Sequence, residues 1–282
     1  MRVNPSTTGT VTLTEKPISI SHHSATPPGL ALALSGGGAR GLAHLGVLAA
    51  LDELELPVAA LSGVSSGAIA GAFYAAGFAP RAILQLFVGT SFTRLTRMAF
   101  SRYGLLQMGA VEVLFTRHLG AGRTFESLQV PLTLVATDLT AGESVRFSQG
   151  PLIPPLLASS AVPVLYRPIE YQGRQLVDGG LLNNLPVDAL LGRGWPVVAV
   201  NCIPTNTGHQ ITGFRNLVER TLNLIIGANS TLSKQQCQLL LEPPELRAYR
   251  PLDYRRGQEL FDIGYRYTLA QAPALRALLA VQ

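Results

Sequence analysis

The chain has 282 residues, of which 47% are hydrophobic and 14% are charged, and its formal net charge is +5. This balance allows a full hydrophobic core and argues against a largely disordered chain. No basic run accompanies the positive charge and no long uncharged apolar stretch is present, so neither nucleic-acid binding nor a membrane span is predicted.

The cysteines and the N-terminal residues bear on the cellular compartment. Cys202 and Cys237 have no metal-ligand spacing and form no disulfide framework, which favours a reducing compartment. Residues 1–28 are polar, without the apolar core of a signal peptide, and predict a flexible arm. We expect a cytoplasmic protein, with peripheral membrane contact as a further expectation.

Two units of strand, loop and helix open the chain after the arm. Leu30–Leu34 predicts a buried strand, glycines follow it, and Gly41–Leu51 predicts a helix that is apolar on nearly every side. The second unit has a strand over Val58–Leu61, a sharp turn over Gly63–Gly67 and a helix of small residues over Ser66–Ala76.

Strands and helices continue to alternate downstream. The predicted strands are Pro131–Asp138, Ser144–Phe147, Arg174–Val177 and Val197–Cys202, and Leu152–Ser160 is a predicted helix. Helical patterns dominate Gly213–Leu241 and Arg256–Leu279. This alternation predicts an α/β fold of three α/β/α layers around a mostly parallel central sheet, with a ligand site at the carboxyl ends of its strands. We expect a catalytic domain over residues 29–205 and a helical region over residues 206–282 packed on it.

The segment Gly63-Val64-Ser65-Ser66-Gly67 matches the pattern G-x-S-x-G. Glycines on both sides of the serine permit a strained turn that presents the hydroxyl group outward. A plain glycine and serine turn would give the same letters. The preceding apolar strand and the following helix favour a nucleophile at Ser65, within an elbow formed by Gly63 and Gly67.

The glycine-rich segment Ser35–Gly41 lies between the first strand and its helix. Consecutive glycines let backbone N–H groups turn toward one point, as an oxyanion hole requires. The segment also matches the dinucleotide pattern G-x-G-x-x-G, which further requires an acidic residue at the end of the second strand. That strand ends in Ser62 and the serine turn, so a dinucleotide site is disfavoured.

The third segment of interest is Asp178-Gly179-Gly180, which follows a predicted strand. Asp-Gly is a common turn dipeptide. The alternative interpretation is a carboxylate held in a tight loop, close enough to Ser65 to take its proton directly.

Together these three segments, in this order, resemble the patatin-like phospholipases. The resemblance extends to Ala43–Leu48 after the glycine loop and to Ala158–Pro163 before the aspartate, and it covers roughly Leu30–Leu191. The third motif reads Asp-Gly-Gly, a variant that the family tolerates.

The resemblance implies a carboxylic ester hydrolase with a Ser65-Asp178 dyad, an acyl-enzyme intermediate and a lipid ester substrate, of the phospholipid or lysophospholipid type. It implies an oxyanion hole and substrate contacts in the glycine loop. Arg40 would steady that loop or meet a lipid phosphate. The residues assigned to this loop are Gly36, Gly37, Gly38, Arg40 and Gly41.

Alternatives to this mechanism remain open in the sequence. A Ser-His-Asp triad needs a histidine after Asp178, and only His209, in a polar loop, follows it. His44 is expected to be structural, and His22, His23 and His118 lack metal-ligand partners, so we predict neither metal nor organic cofactor. An acyltransferase would use the same acyl-enzyme, and a lipid-binding regulator would keep the pocket without turnover.

Two features stay undecided at this level. Leu86-Phe87 and the basic, aromatic segment Phe92–Phe100 could form a lip that meets lipid, although packing beneath a lid or an insertion is the favoured interpretation. The oligomeric state is not predicted.

Overall fold

The computed structural model describes residues 28–89, 106–204 and 212–280. The N-terminal arm, the segment Phe92–Phe100 and His209 lie outside the described residues. The strands are β1 (Leu30–Leu34), β2 (Val58–Gly63), β3 (Leu132–Asp138), β4 (Glu143–Phe147), β5 (Ile169–Tyr171), β6 (Arg174–Asp178), β7 (Val197–Val200) and β8 (Leu239–Leu241). The helices are α1 (Leu42–Glu53), α2 (Ser66–Ala75), α3 (Pro80–Gly89), α4 (Gly109–Leu119), α5 (Ile153–Ser160), α6 (Phe214–Asn229), α7 (Thr231–Gln236), α8 (Gly257–Ala270) and α9 (Ala272–Ala280).

These strands form one sheet in which β3, β2, β1, β7 and β8 are parallel neighbours in that order. Strands β4 and β6 pair antiparallel with β3, and β5 pairs antiparallel with β6. The prediction of an α/β fold with a mostly parallel central sheet is therefore confirmed.

The two faces of the sheet carry different side chains because successive residues of a strand point to opposite sides. In β1, Leu30, Leu32 and Leu34 pack into the large core that α1, α2, α3 and α8 cover. Ala31 and Ala33 face the other way, into a smaller cluster closed by the segment 185–190. The layers are thus unequal, with the thicker one beside α1.

The C-terminal region packs directly on the first unit. A Cβ atom on Gly46 of α1 would collide with the backbone of Phe261 in α8, and one on Gly264 would collide with the backbone of Ala43. The two helices approach this closely because both positions lack a side chain. The same region supplies strand β8, so it is not purely helical, and the predicted domain boundaries stay a prediction.

The strand register brings two distant segments together. Gly63, the last residue of β2, pairs with Leu134 of β3, and Asp178, the last residue of β6, pairs with Ala136. Because β2 runs parallel and β6 antiparallel to β3, their carboxyl ends face each other along β3. Two residues of strand correspond to about 7 Å, so the turn after β2 and the loop after β6 meet.

Candidate active site

Ser65 lies in the turn between β2 and α2 with φ 53° and ψ −121°. This backbone conformation is strained for a residue with a side chain. The flanking glycines permit the tight turn. A Cβ atom on Gly63 would lie 2.8 Å from the nitrogen of Ala68, and one on Gly67 would collide with backbone at the end of β1.

The end of helix α5 holds this turn in place. The backbone nitrogen of Ser65 lies 3.1 Å from the carbonyl oxygen of Ser159 and 3.1 Å from its hydroxyl oxygen. The Ser159 hydroxyl in turn donates to the carbonyl of Val135 in β3, at 2.7 Å. A buried serine thus fixes the strained backbone of Ser65 against the central sheet.

Asp178 is 5% exposed and its carboxylate contacts both the serine turn and its own loop. The Gly180 N–H donates to Asp178 Oδ1 at 2.8 Å, and the Ser65 side chain lies close enough to the carboxylate to lower its pKa. Burial raises the pKa of Asp178 to about 6, and Ser65 and the Gly180 N–H oppose that rise. The group is therefore a stronger base than an ordinary aspartate and still ionised at neutral pH.

The glycine loop runs beside Ser65. A Cβ atom on Gly36 would lie 3.2 Å from Cβ of Ser65. The Gly36 N–H already donates to the carbonyl of Asn184 at 3.2 Å, so the geometry does not support its predicted place among the oxyanion donors. Within the described part of the chain the N–H groups of Gly37 and Gly38 have no protein acceptor, and they remain the candidate donors.

The remaining predicted residues of this loop face the protein interior. Arg40 is 9% exposed. Burial raises the pKa of the Cys202 thiol, and the positive charge of Arg40 partly opposes that rise, so the guanidinium lies near Cys202. This favours the loop-steadying role of Arg40 over contact with a lipid phosphate. Gly41 approaches the Ser66 side chain so closely that a Cβ atom there would collide with it.

His44 has structural contacts at the start of the glycine loop, as the sequence predicts. Its Nε2 lies 2.8 Å from the carbonyl oxygen of Ser35, and its ring packs against the thiol of Cys202. Burial lowers the pKa of His44 to about 4, so the ring is neutral at physiological pH. His44 therefore anchors the end of β1 rather than Ser65.

Two asparagines join the loops around the site. Asn184 is 1% exposed, its carbonyl accepts from Gly36, and its N–H donates to Oδ1 of Asn229 at 3.1 Å. Asn229 closes α6 and donates through Nδ2 to the carbonyls of Gly180 and Leu181, at 3.0 and 3.2 Å. The glycine loop, the aspartate loop and α6 are thereby linked.

An apolar pocket of about 40 Å³ opens beside Ser66, with Leu42, Ile69, Ile83 and Phe87 in its wall. Phe87 is buried and its ring packs edge-on against Phe73, with centroids 5.5 Å apart. Phe87 is therefore a packed residue that also lines this pocket, while the segment Phe92–Phe100 of the predicted lip lies outside the described residues.

The described residues also bear on metal binding and membrane insertion. His, Cys, Asp and Glu side chains there form no group of three or more that could hold a metal ion. None of the described helices is long and apolar enough to cross a bilayer.

Sequence reasoning did not single out Ser159, Asn184 or Asn229 as site residues. Ser159 stands within the segment Ala158–Pro163 that carries part of the family resemblance, which was a usable signal. Asn184 follows the Asp-Gly-Gly motif closely in the chain. Asn229 has no local signal, because a polar residue at the end of a helix is ordinarily an unremarked surface residue.

Comparison with known proteins places the chain in a family. The family model described as Patatin-like phospholipase matches residues 32–191. An uncharacterized NTE family protein of Mycobacterium bovis is 35% identical over 222 residues, which are 77% of this chain and 61% of that protein. The lysophospholipase nte1 of Aspergillus niger is 29% identical over 276 residues, covering 84% of this chain and 17% of its own length.

A solved structure gives a further comparison. Human GIVD cytosolic phospholipase A2, in complex with methyl gamma-linolenyl fluorophosphonate, has a TM-score of 0.48 and 15% identity, covering 90% of this chain and 59% of that chain. The chain spans less than two thirds of the length of the mycobacterial relative. With a family model that matches more than half of its residues, the chain belongs to the patatin-like phospholipase family.

Proposed function

We propose that the chain hydrolyses acyl esters of lipids, with Ser65 as the nucleophile and Asp178 as the general base. The observation that carries the proposal is the buried Asp178 carboxylate beside the Ser65 side chain, where the carboxyl ends of β2 and β6 face each other. A base that touches the hydroxyl directly needs no intervening histidine. A base whose pKa lies near 6 also matches proton transfer at neutral pH.

In the acylation step, Ser65 Oγ forms a bond to the carbonyl carbon of the ester while its proton passes to the Asp178 carboxylate. The carbonyl oxygen becomes a tetrahedral oxyanion. The N–H groups of Gly37 and Gly38 stabilise this charge, since neither donates to an acceptor among the described residues. Collapse of the intermediate breaks the ester bond, and the departing alkoxide takes the proton from Asp178.

In the deacylation step, water attacks the acyl-enzyme at the same carbonyl carbon. Asp178 now accepts the proton of that water, and the same backbone donors hold the second oxyanion. Ser65 Oγ leaves and recovers its proton from Asp178, which releases a fatty acid. An acyltransferase would differ only in using an alcohol instead of water.

Membership in the patatin-like phospholipase family supports a phospholipid or lysophospholipid as substrate. The name of the Aspergillus niger relative, a lysophospholipase, supports the second of these. The apolar pocket beside Ser66 would receive the first methylene groups of an acyl chain, because its wall is formed by aliphatic and aromatic side chains. No metal or organic cofactor enters these steps.

Peripheral contact with a lipid surface forms part of the proposal. Exposed apolar side chains follow two segments of the site along the chain: Val164 and Leu165 come after Ser159, which holds the serine turn, and Leu182 comes after Gly180 in the aspartate loop. Such side chains near the site would insert among lipid headgroups. Leu182→Ser should weaken sedimentation with phospholipid vesicles. Leu191→Ser is the matched control, since Leu191 is 40% and Leu182 41% exposed. Leu191 precedes β7, whose amino end lies opposite the carboxyl ends of the parallel strands β1 and β2.

The test of the activity is ester hydrolysis by the wild type, Ser65→Ala, Asp178→Asn and His209→Ala. A short-chain nitrophenyl ester reports the chemistry, and vesicles of phospholipid or lysophospholipid report the substrate class. Circular dichroism checks the fold of each variant. We expect the wild type and His209→Ala to be active at similar rates, and Ser65→Ala and Asp178→Asn to lose nearly all activity.

Each other outcome supports a different function. If His209→Ala is as inactive as Ser65→Ala, a Ser-His-Asp triad replaces the dyad. If product analysis in the presence of an alcohol acceptor shows transfer in preference to hydrolysis, the chain is an acyltransferase. If the wild type binds vesicles and cleaves no ester, the lipid-binding regulator is correct.

A further inference from the structure

We propose that Asn229, the last residue of α6, is a positioning residue for the catalytic carboxylate, an inference that rests on the proposed Ser65-Asp178 chemistry. Asn229 lies beyond the residues 32–191 that the family model matches. Its side chain nevertheless reaches the loop that carries the base.

The geometry joins Asn229 to that loop through three hydrogen bonds. Nδ2 donates to the carbonyl oxygens of Gly180 and Leu181, and Oδ1 accepts from the N–H of Asn184. An amide is suited to this place because it offers two donors and an acceptor in one plane. Each of these partners belongs to the backbone, so the bonds fix the path of the chain between Gly180 and Asn184.

This path determines where the Asp178 carboxylate points. The N–H of Gly180 donates to Asp178 Oδ1 at 2.8 Å, while the carbonyl of the same residue accepts from Asn229. Asn229 therefore holds Gly180 from one side while Gly180 holds the carboxylate from the other. The carbonyl and the N–H of Gly180 belong to successive peptide groups that share its Cα atom. Loss of the Asn229 amide would free the first group and, through that Cα atom, let the N–H move away from Asp178.

The same amide also reaches the glycine loop through Asn184. The N–H of Asn184 donates to Asn229, and its carbonyl accepts from the N–H of Gly36. Gly36 is the residue of that loop that approaches Cβ of Ser65. One side chain from α6 thus constrains the loop of the base directly and the loop of the oxyanion donors through one intermediate residue.

A displaced Gly180 N–H would change the pKa of Asp178 in a known direction. That N–H stabilises the ionised carboxylate, so its loss raises the pKa further above about 6.

Charged groups of the neighbouring elements pair among themselves. In β3, Asp138 pairs with Arg174 of β6, which also pairs with Glu143 of β4.

A second ion pair of the neighbourhood joins Arg146 of β4 to Asp188. No charged side chain contributes to the pKa shift of Asp178 among the described residues; burial, Ser65 and Gly180 account for it. A change in the pKa of Asp178 in an Asn229 variant would therefore reflect a changed conformation of the loop that carries Gly180.

The experiment compares Asn229→Ala with Asn183→Ala, using the nitrophenyl ester between pH 4.5 and 8.5. Asn183 is the matched control because it belongs to the same loop, and its side chain donates instead to Asp188 at 2.8 Å. We expect Asn229→Ala to lower kcat roughly ten- to a hundred-fold with little change in KM, as displacement of a catalytic group does. We also expect the acid limb of its pH profile to move to higher pH, and Asn183→Ala to do neither.

Asn229→Gln keeps the amide but displaces it by one methylene group, and it serves as a second variant if Asn229→Ala fails to fold. Like Asn229→Ala, it should lower kcat and move the acid limb to higher pH. A folded Asn229 variant with wild-type kcat, or one with lowered kcat and an unmoved acid limb, would overturn the positioning role.

A readout without turnover separates this inference from the proposed function. Asp178→Asn should stabilise the chain at pH 8 by a larger amount in the Asn229→Ala background than in the wild-type background, since the ionised carboxylate has lost a donor there. Urea unfolding measures this stabilisation. If Asp178→Asn raises the free energy of unfolding equally in both backgrounds, the inference is refuted, whether or not the wild type cleaves esters. An inert wild type would refute the proposed function alone.

Discussion

Ser159 holds the backbone N–H of Ser65 with both its carbonyl and its hydroxyl oxygen, each 3.1 Å from the nitrogen. The hydroxyl has one proton, which it donates to the carbonyl of Val135. A single buried side chain therefore connects the strained turn of the nucleophile to the central strand β3. The turn stays in its costly conformation because the surrounding structure fixes it.

The first prediction concerns this serine. Ser159→Ala removes the hydroxyl and leaves the Val135 carbonyl without that donor, which should destabilise the chain by about 1 to 3 kcal/mol. The less constrained Ser65 should lower kcat on a nitrophenyl ester roughly ten-fold. Ser160→Ala is the matched control, because its hydroxyl bonds the carbonyl of Leu156 within α5. Equal kcat values for the two variants would refute a role of Ser159 in the elbow.

The second prediction is the pH dependence of activity. Asp178 acts as a base only when ionised, and burial raises its pKa to about 6. The value of kcat/KM should therefore be constant above that pH and fall about ten-fold for each unit below it. Rates measured from pH 4.5 to 8 test this. An ordinary histidine base would titrate in the same range, so His209→Ala must keep the same acid limb.

The third prediction is that the catalytic carboxylate destabilises the fold at neutral pH. The pKa of Asp178 is raised from 3.8 to about 6, so its contribution to stability is fully present below pH 3.8 and is lost as pH rises through 6. Asp178→Asn keeps an acceptor for the Gly180 N–H and carries no charge. It should raise the free energy of unfolding at pH 8 by up to about 3 kcal/mol and have little effect at pH 4.

Urea unfolding of the wild type and Asp178→Asn at both pH values measures this difference. A variant that is equally stable to the wild type at pH 8, or that gains the same amount at both pH values, would contradict the assigned burial penalty. Inactivity combined with increased stability is the pattern expected of a group maintained for function.

The fourth prediction concerns acid stability. The pKa of the buried His44 is lowered from 6.5 to about 4, so the stability from its neutral ring is present above pH 6.5 and is lost as pH falls toward 4. The loss amounts to about 3 kcal/mol over this range. His44→Gln can still donate to the Ser35 carbonyl. It should reduce the pH dependence of the free energy of unfolding in this range.

His118→Gln is the control for that measurement, since His118 lies in α4, away from the glycine loop. Urea unfolding of the wild type and both variants at half-unit steps from pH 7 to 4 gives the slope of the free energy of unfolding against pH for each protein. If His44→Gln keeps the wild-type slope while His118→Gln removes it, the assignment to His44 is wrong.

Local chemistry was sufficient for much of the fold. The apolar runs of β1 and β2, the glycines after them and the apolar helices α1 and α2 are features of neighbouring residues, and the sequence predicts each of them within a few positions. The same holds for the turn at Ser65, because G-x-S-x-G is read from five consecutive residues. The short strand β8 was missed, since three apolar residues after a helical pattern do not distinguish a strand from a helix.

The assembly of the site depended on the tertiary structure. The meeting of the turn after β2 with the loop after β6 follows from their opposite directions along β3, and nothing in either segment encodes that register. The commitment of the Gly36 N–H to Asn184, and the inward position of Arg40, likewise follow from contacts with distant residues.

By itself, therefore, the sequence determined which residues carry the proposed chemistry: the serine in a strained turn, the aspartate before two glycines and the glycine loop. Only the tertiary structure decided which groups hold them, namely Ser159, Asn184 and Asn229. The physical reason is that a nucleophile needs a local backbone conformation, which short motifs specify. A supporting hydrogen bond needs only a polar atom at the right distance, which any segment of the folded chain can supply.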